Sequence, residues 1–173
     1  MADVKQQAQA FAYGQASYPV IADYGPAYTV PGAFEVPEKR RQAKAVFDVS
    51  RAAEQPQQVV PGLKRVARYL NLYASVGVEL HLLQVIVVLH GDATGAVLRH
   101  EVYGHHFPGA TENPNLRLLK ALHQARVTLY VCGQAIRDCG YQDQDIVPDV
   151  SLAYSALAVV TNYQDRQFVY FSV

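Results

Sequence analysis

Two cysteines and six histidines are the side chains of this 173-residue chain best suited to covalent or metal chemistry. Cys132 stands in "RVTLYVCGQAIRDCG", where a strand-like run, Val127 to Val131, reaches a thiol, a glycine and then a helix-like segment. At such a junction the first amide N–H groups of the helix are unpaired, and the helix dipole puts about half a positive charge there. A thiolate at that point is stabilised, so its pKa is expected below the free value of about 8.5. A partly exposed thiolate of this kind is a nucleophile and can carry a transferable sulfur atom as a persulfide. Gly133 would keep the approach open. Read from the residues alone, Cys132 is either such a reactive thiol or a buried small hydrophobe. Cys139, near the end of the same helix, is expected to pack, and to act as a resolving thiol only beside Cys132 or a symmetry mate. Two positions seven apart on one helix are separated by about 10 Å, beyond the disulfide reach of about 7 Å.

The histidines offer weaker patterns. "RHEVYGHHF" opens like the H-E-x-x-H helix of zinc proteases, but after His100 and Glu101 the next histidine is His105, one residue too far. His100, His105 and His106 could ligate a metal from a loop, stand solvated, or bring an imidazole to Cys132 that assists thiolate formation. The plain reading is a solvated loop, and no metal or other cofactor is assigned. "HGDATG", His90 to Gly95, lacks both the P-loop spacing with its Lys-Ser/Thr and the G-x-G-x-x-G fingerprint. His90 follows an apolar strand directly and could line a crevice with Gly91 and Asp92, whereas His123 reads as a solvated helix residue. No G-x-S-x-G elbow occurs, so a serine hydrolase of the α/β type has no support.

The elements that must position these groups follow from the hydrophobic pattern. "KAVFDVS" reads as a strand, and "GLKRVARYLNLYASVG" as a helix with Leu63, Val66, Ala67, Leu70 and Ala74 in its stripe. "LHLLQVIVVLHG" is a strand apolar enough to be covered on both faces. A long connection with room for a short helix follows. "NPNLRLLKALHQA" is the clearest helix, with Asn113 as its cap and Pro114 at the first helical position. Strand "VTLYVC", helix "GQAIRDCG", strand "DIVPDV", helix "SLAYSALAVVTNYQ" and strand "FVYFS" complete the chain. Alternation of this kind predicts a three-layer α/β/α domain with a five-stranded, mainly parallel sheet over residues 44–173. Ligand crevices in such sheets lie beyond the carboxyl ends of the strands, which selects "HGDA", "CGQA" (with Gln134) and "SLAY".

Residues 1–43 are different. Pro19, Pro26, Pro31 and Pro37 break any helix, while Tyr13, Tyr18, Tyr24 and Tyr28 are more aromatic than disorder favours. The expectation is an extended arm on its own domain or on a neighbouring subunit, the alternative being a partly ordered tail. Fifteen basic residues match fifteen acidic ones, so no global field favours nucleic acid or anionic lipid. No run of about 18 apolar residues exists to cross a membrane as a helix. "MADVKQQAQAFAYG" holds no apolar signal core, so the expectation is cytoplasmic, or periplasmic if a leader has been trimmed.

Taken together, "GLKRVARYLNLYASVGV", "VIVVLHGDA", "ENPNLRLLKALHQARVTLYVCGQAI" and "DIVPDVSLAYSALAVVTNYQ" resemble the DsrE/DsrF-like family of sulfur-relay proteins, in order over residues 44–173. The likeness is strongest at "HG", "NPNL" and "VCGQA", and "QARV" stands where the family commonly ends its helix with glycine. The resemblance implies a trimer or hexamer in which Cys132 accepts a persulfide sulfur and passes it to a partner protein. His90, Gly91, Asp92, Asn113, Gly133 and Gln134 would shape its pocket, with His100, His105 and His106 available to assist. The other reading is a non-enzymatic oligomeric module that binds a small ligand or metal.

Overall fold

The strand "LQVIVVL" shows no polar alternation because both of its faces are covered by protein. A computed structural model gives the fold and describes residues 14–173; residues 1–13, with Tyr13 of the expected arm, lie outside the described residues. Five strands, β1 (Ala43–Val49), β2 (Leu83–Leu89), β3 (Thr128–Cys132), β4 (Ser151–Ala153) and β5 (Val169–Ser172), form one sheet in the order β4-β3-β2-β1-β5. Every pairing is parallel. Helices α1 (Pro61–Ser75), α2 (His100–His106), α3 (Leu116–Gln124), α4 (Gly133–Asp138) and α5 (Ala156–Asp165) lie between the strands. A 3₁₀ segment, Gly91–Val97, follows β2.

Side chains alternate across each strand and divide the core in two. Phe47, Val49, Val85, Val87, Leu89, Leu129 and Val131 meet Leu63, Val66 and Leu70 of α1 and Leu118, Leu119 and Leu122 of α3. Leu63, Val66, Ala67 and Leu70 recur at helical spacing, and each fully buried leucine contributes about 1.5–3 kcal/mol. On the opposite face, Val46, Ile86, Val88 and Cys132 lie under Ala156 and Val159 of α5, with Phe168 beside them. No helix among the described residues is long and apolar enough to cross a membrane.

Two boundaries differ from the sequence expectation. The helix expected from Asn113 begins at Leu116 instead. The Asn113 side chain is spent elsewhere: Nδ2 donates to the Ala96 and Leu98 carbonyls at 2.9 and 2.7 Å, and Oδ1 accepts from the Asn115 N–H at 3.0 Å. That last bond is an Asx turn, which holds the chain out of the helix for two further residues. The fourth strand is Ser151–Ala153 rather than "DIVPDV", and α5 starts only at Ala156. Pro148 removes a ladder donor from the expected strand, and Ser155 caps α5 by accepting from the Ala158 N–H at 3.0 Å.

Helix ends follow one pattern. After α1, α3, α4 and α5 the next-but-one N–H bonds back five residues, as from Val127 to the Leu122 carbonyl at 3.0 Å. Gly77 and Gly140 occupy the left-handed position this requires, but after α3 and α5 Arg126 and Gln167 occupy it, at φ 66° and 67°. "QARV" therefore makes the glycine turn without a glycine.

Of the arm, Ser17 and Ala27 form an isolated antiparallel bridge, and Ile21 and Ala27 are buried against the domain. The fastener is Asn71 of α1: its Oδ1 accepts from the Val20 and Ile21 N–H groups, and its Nδ2 donates to the Ile21, Tyr24 and Gly25 carbonyls. Farther along, Phe34 and Val36 are exposed.

Candidate functional site

The direction of the connections selects one end of the sheet. After β1, β2 and β3 the chain turns to the face of α1 and α3; Ile136 of α4 belongs to that core. After β4 it turns to the other face, where α5 carries it back to β5 beside β1. Neighbouring connections therefore diverge between β3 and β4, the switch point at which open α/β sheets form their crevices. Cys132 ends β3 there and Gly133 opens α4, while Ala153 ends β4 and Tyr154 and Ser155 lead into α5. A β-carbon on Gly133 would come within 2.9 Å of the Ala153 carbonyl oxygen, so only glycine permits this approach. Gln134, exposed on α4, donates from Nε2 to the Tyr154 carbonyl at 3.1 Å.

Cys132 is 6% exposed and belongs to the core that β1, β2 and β3 form under Ala156 and Val159 of α5. Sequence reasoning expected a sulfur open to solvent and stabilised by the amides of α4, and both expectations are corrected. Cys132 is the N-cap of α4, but its side chain accepts no hydrogen bond from that helix. Strand alternation is the reason. Val131 points into the α1–α3 core towards which α4 departs, so Cys132 points the other way, under α5.

The same face carries an imidazole on the neighbouring strand. Leu89 pairs with Val131, so His90 and Cys132 are the next positions on adjacent strands, about 4.8 Å apart in backbone spacing. His90 remains extended and its N–H still bonds to the Val49 carbonyl at 3.0 Å, so it continues the strand. Its Nε2 lies 2.5 Å from Oδ1 of Asp48 in β1. Tyr170 of β5 donates its hydroxyl to Oδ2 of Asp48 at 2.7 Å, and this bond to the carboxylate pushes the phenol pKa above its ordinary value. Asp48 and Tyr170 escaped the sequence reading. The available signal was an acid inside the apolar strand "AKAVFDV", since a carboxylate leaving water needs partners.

The other candidate residues have separate surroundings. Gly91, at φ 54°, starts the 3₁₀ segment. Asp92 is exposed and lines a cavity of about 180 Å³ on the α1 side, with Tyr103, Phe107 and Asn115. Asn113 fastens the loop over Ala96 and Leu98, and its N–H donates to Nδ1 of His100 at 3.0 Å. His105 and His106 are exposed and stack edge-on, His106 also meeting Tyr141. Of the histidines, His90 alone stands on the strand next to Cys132, with no hydrogen bond between the two among the described residues. Cys139, expected to pack, is exposed at the far end of α4; burial of its sulfur, then Asp138 and Asp92, push its thiol up, against a hydrogen bond from Thr94. Among the described residues no three His, Cys, Asp or Glu side chains gather as a metal site requires.

Comparison with known proteins fits this architecture. The protein of unknown function MTH1491 from Methanobacterium thermoautotrophicum superposes with a TM-score of 0.54 at 17% identity, covering 76% of this chain and 99% of that one. The ychN protein of E. coli gives a TM-score of 0.56 at 19% identity, with the same coverage of 76% and 99%. At these identities the likeness is one of fold. No curated protein matches the sequence closely enough to count. The family model of the DsrE/DsrF-like family, however, matches residues 42–172, from the start of the sheet to its last strand. With that match spanning every element that builds the switch point, the chain belongs to the DsrE/DsrF-like family.

Proposed function

We propose that the protein is a sulfur carrier in which Cys132 holds a persulfide for relay to a partner protein. The observation that supports it is a thiol ending β3 at the switch point, one position past the last β2–β3 pair, as is an imidazole held by a carboxylate on the next strand. The Cys132 thiolate attacks the outer sulfur of a donor persulfide R–S–SH. A bond forms between the two sulfurs, the donor S–S bond breaks, and R–S⁻ leaves to take up the proton the thiol gave. Nothing is oxidised or reduced in sum; the sulfane sulfur changes owner. If donor and acceptor turn over, the activity is that of a sulfurtransferase. The test is mass spectrometry of native protein incubated with a small-molecule persulfide. A one-sulfur adduct that is lost in Cys132→Ala is the expected result, and no adduct on the native wild type ends the proposal.

The enclosure of Cys132 favours a second reading, an oligomeric binding module without sulfur transfer. A thiol that stays unalkylated until the protein is denatured would establish it.

Under either reading the protein assembles as a trimer or hexamer. Tyr154 and Leu157, beside the switch point, are 84% and 81% exposed in the single chain, with Leu152 next to them. Apolar surface so close to a site is what a partner subunit covers. Light scattering should report a multiple of 19.1 kDa at micromolar concentration, and a monomer removes the assembly.

A further inference from the structure

The α4 amides do not serve the thiol, so whatever ionises Cys132 must come from its own face of the sheet. Three polar positions fall on that face of three adjacent strands: Asp48 on β1, His90 after β2, and Cys132 ending β3; Asp48 pairs with Val88, two residues before His90, and the imidazole reaches it diagonally. The Asp48 carboxylate can only accept, so Nε2 of His90 carries the hydrogen in the 2.5 Å bond between them. That fixes the tautomer and leaves the Nδ1 lone pair without a hydrogen-bond partner among the described residues. Tyr170 holds the second carboxylate oxygen, so Asp48 is oriented from both sides. His90 and Asp48 are partly buried, their side chains 31% and 18% exposed, which strengthens the pair relative to one in open water.

We propose that His90 is the general base for the Cys132 thiol and that Asp48 is its positioning residue, an Asp–His–Cys line built across β1, β2 and β3. The Cys132 proton passes to Nδ1, Asp48 stabilises the imidazolium, and the imidazolium returns the proton to the departing R–S⁻. The assignment takes its substrate from the carrier reading, but its own test needs only the thiol. Other titratable groups on this face are Tyr130 of β3 and Tyr163 of α5, whose hydroxyls meet at 3.4 Å. Arg166 lies over the Tyr163 ring, and Lys44 lies over Phe168 at the amino end of β1. Neither cation is paired with Asp48 or His90 among the described contacts.

The experiment follows alkylation of native protein by iodoacetamide across pH, in a Cys139→Ser background so that a single thiol reports. The parent sets the reference midpoint. His90→Gln should raise it and slow the reaction at neutral pH roughly tenfold, as one unit of thiolate pKa implies. Asp48→Asn, nearly isosteric, should shift it in the same direction by less. Urea melts on both variants identify any loss of fold. An unmoved midpoint in His90→Gln, or a thiol inert in the parent, overturns the assignment. Persulfide loading run in parallel separates the two ideas. Loading with an unmoved midpoint sinks the base and keeps the carrier; a His90-dependent midpoint without loading does the reverse.

Discussion

Asp48, His90 and Asn71 show how single polar side chains are fixed by what surrounds them. Asp48 interrupts an apolar strand and is tolerated because His90 and Tyr170 each take one of its oxygens. Asn71, fully buried on α1, is an amide with both ends satisfied by the backbone of the arm. Removing it would strand two amides and three carbonyls at once. A buried group left unpaired costs about 1–3 kcal/mol, and water will reach some of these. Asn71→Ala should therefore lose roughly 3 kcal/mol in urea unfolding. It should also open residues 14–27 to limited proteolysis, which a purely local loss would not do. An arm as resistant as in the wild type would contradict the fastening role.

Among the elements, the loop from α3 into β3 carries a strain that a glycine would remove. Arg126 sits at φ 66°, where an L-residue with a β-carbon loses about 1–2 kcal/mol. Arg126→Gly should recover part of that, about 0.5–1 kcal/mol after the greater unfolded-state entropy of glycine is counted. The outcome to measure is a higher Tm with an unchanged alkylation profile of Cys132. A lower Tm would mean that the Arg126 side chain contributes more than the turn costs. The same element scale explains where prediction slipped. "DIVPDV" has strand composition, yet its buried Ile146, Val147 and Val150 pack as a loop, and Val147 bonds to the Val97 carbonyl instead of a sheet neighbour. Burial fixed those side chains apolar; which backbone paired was decided by the neighbouring strand.

At the scale of the whole molecule, tyrosines tie stability to alkaline pH. Burial raises the phenol pKa of Tyr69, Tyr103, Tyr141 and Tyr163, the last to about 12, and the Asp48 bond raises that of Tyr170. A phenol whose folded pKa exceeds its unfolded value near 10 contributes in full below pH ~10. Above it the unfolded chain releases protons that the folded one retains, so stability falls as pH rises towards the folded values. Urea midpoints should hold to about pH 10 and then decline steadily, with tyrosinate absorbance appearing along with unfolding. Tyr163→Phe should flatten the first part of the decline, and an unchanged slope would contradict its share.

By itself the sequence determined the kinds and order of the elements, the covered strand at "LQVIVVL", and the arrival of Cys132, His90 and Gly133 at strand ends. Those follow from local periodicity and from where polar residues interrupt it. Only the tertiary structure decided which face each strand end presents, and so turned Cys132 away from the α4 amides and onto the face that carries His90 and Asp48. The physical reason is that side chains alternate by one residue along a strand, whereas strand neighbours 42 residues apart, Asp48 and His90, meet only once the sheet order and register are set.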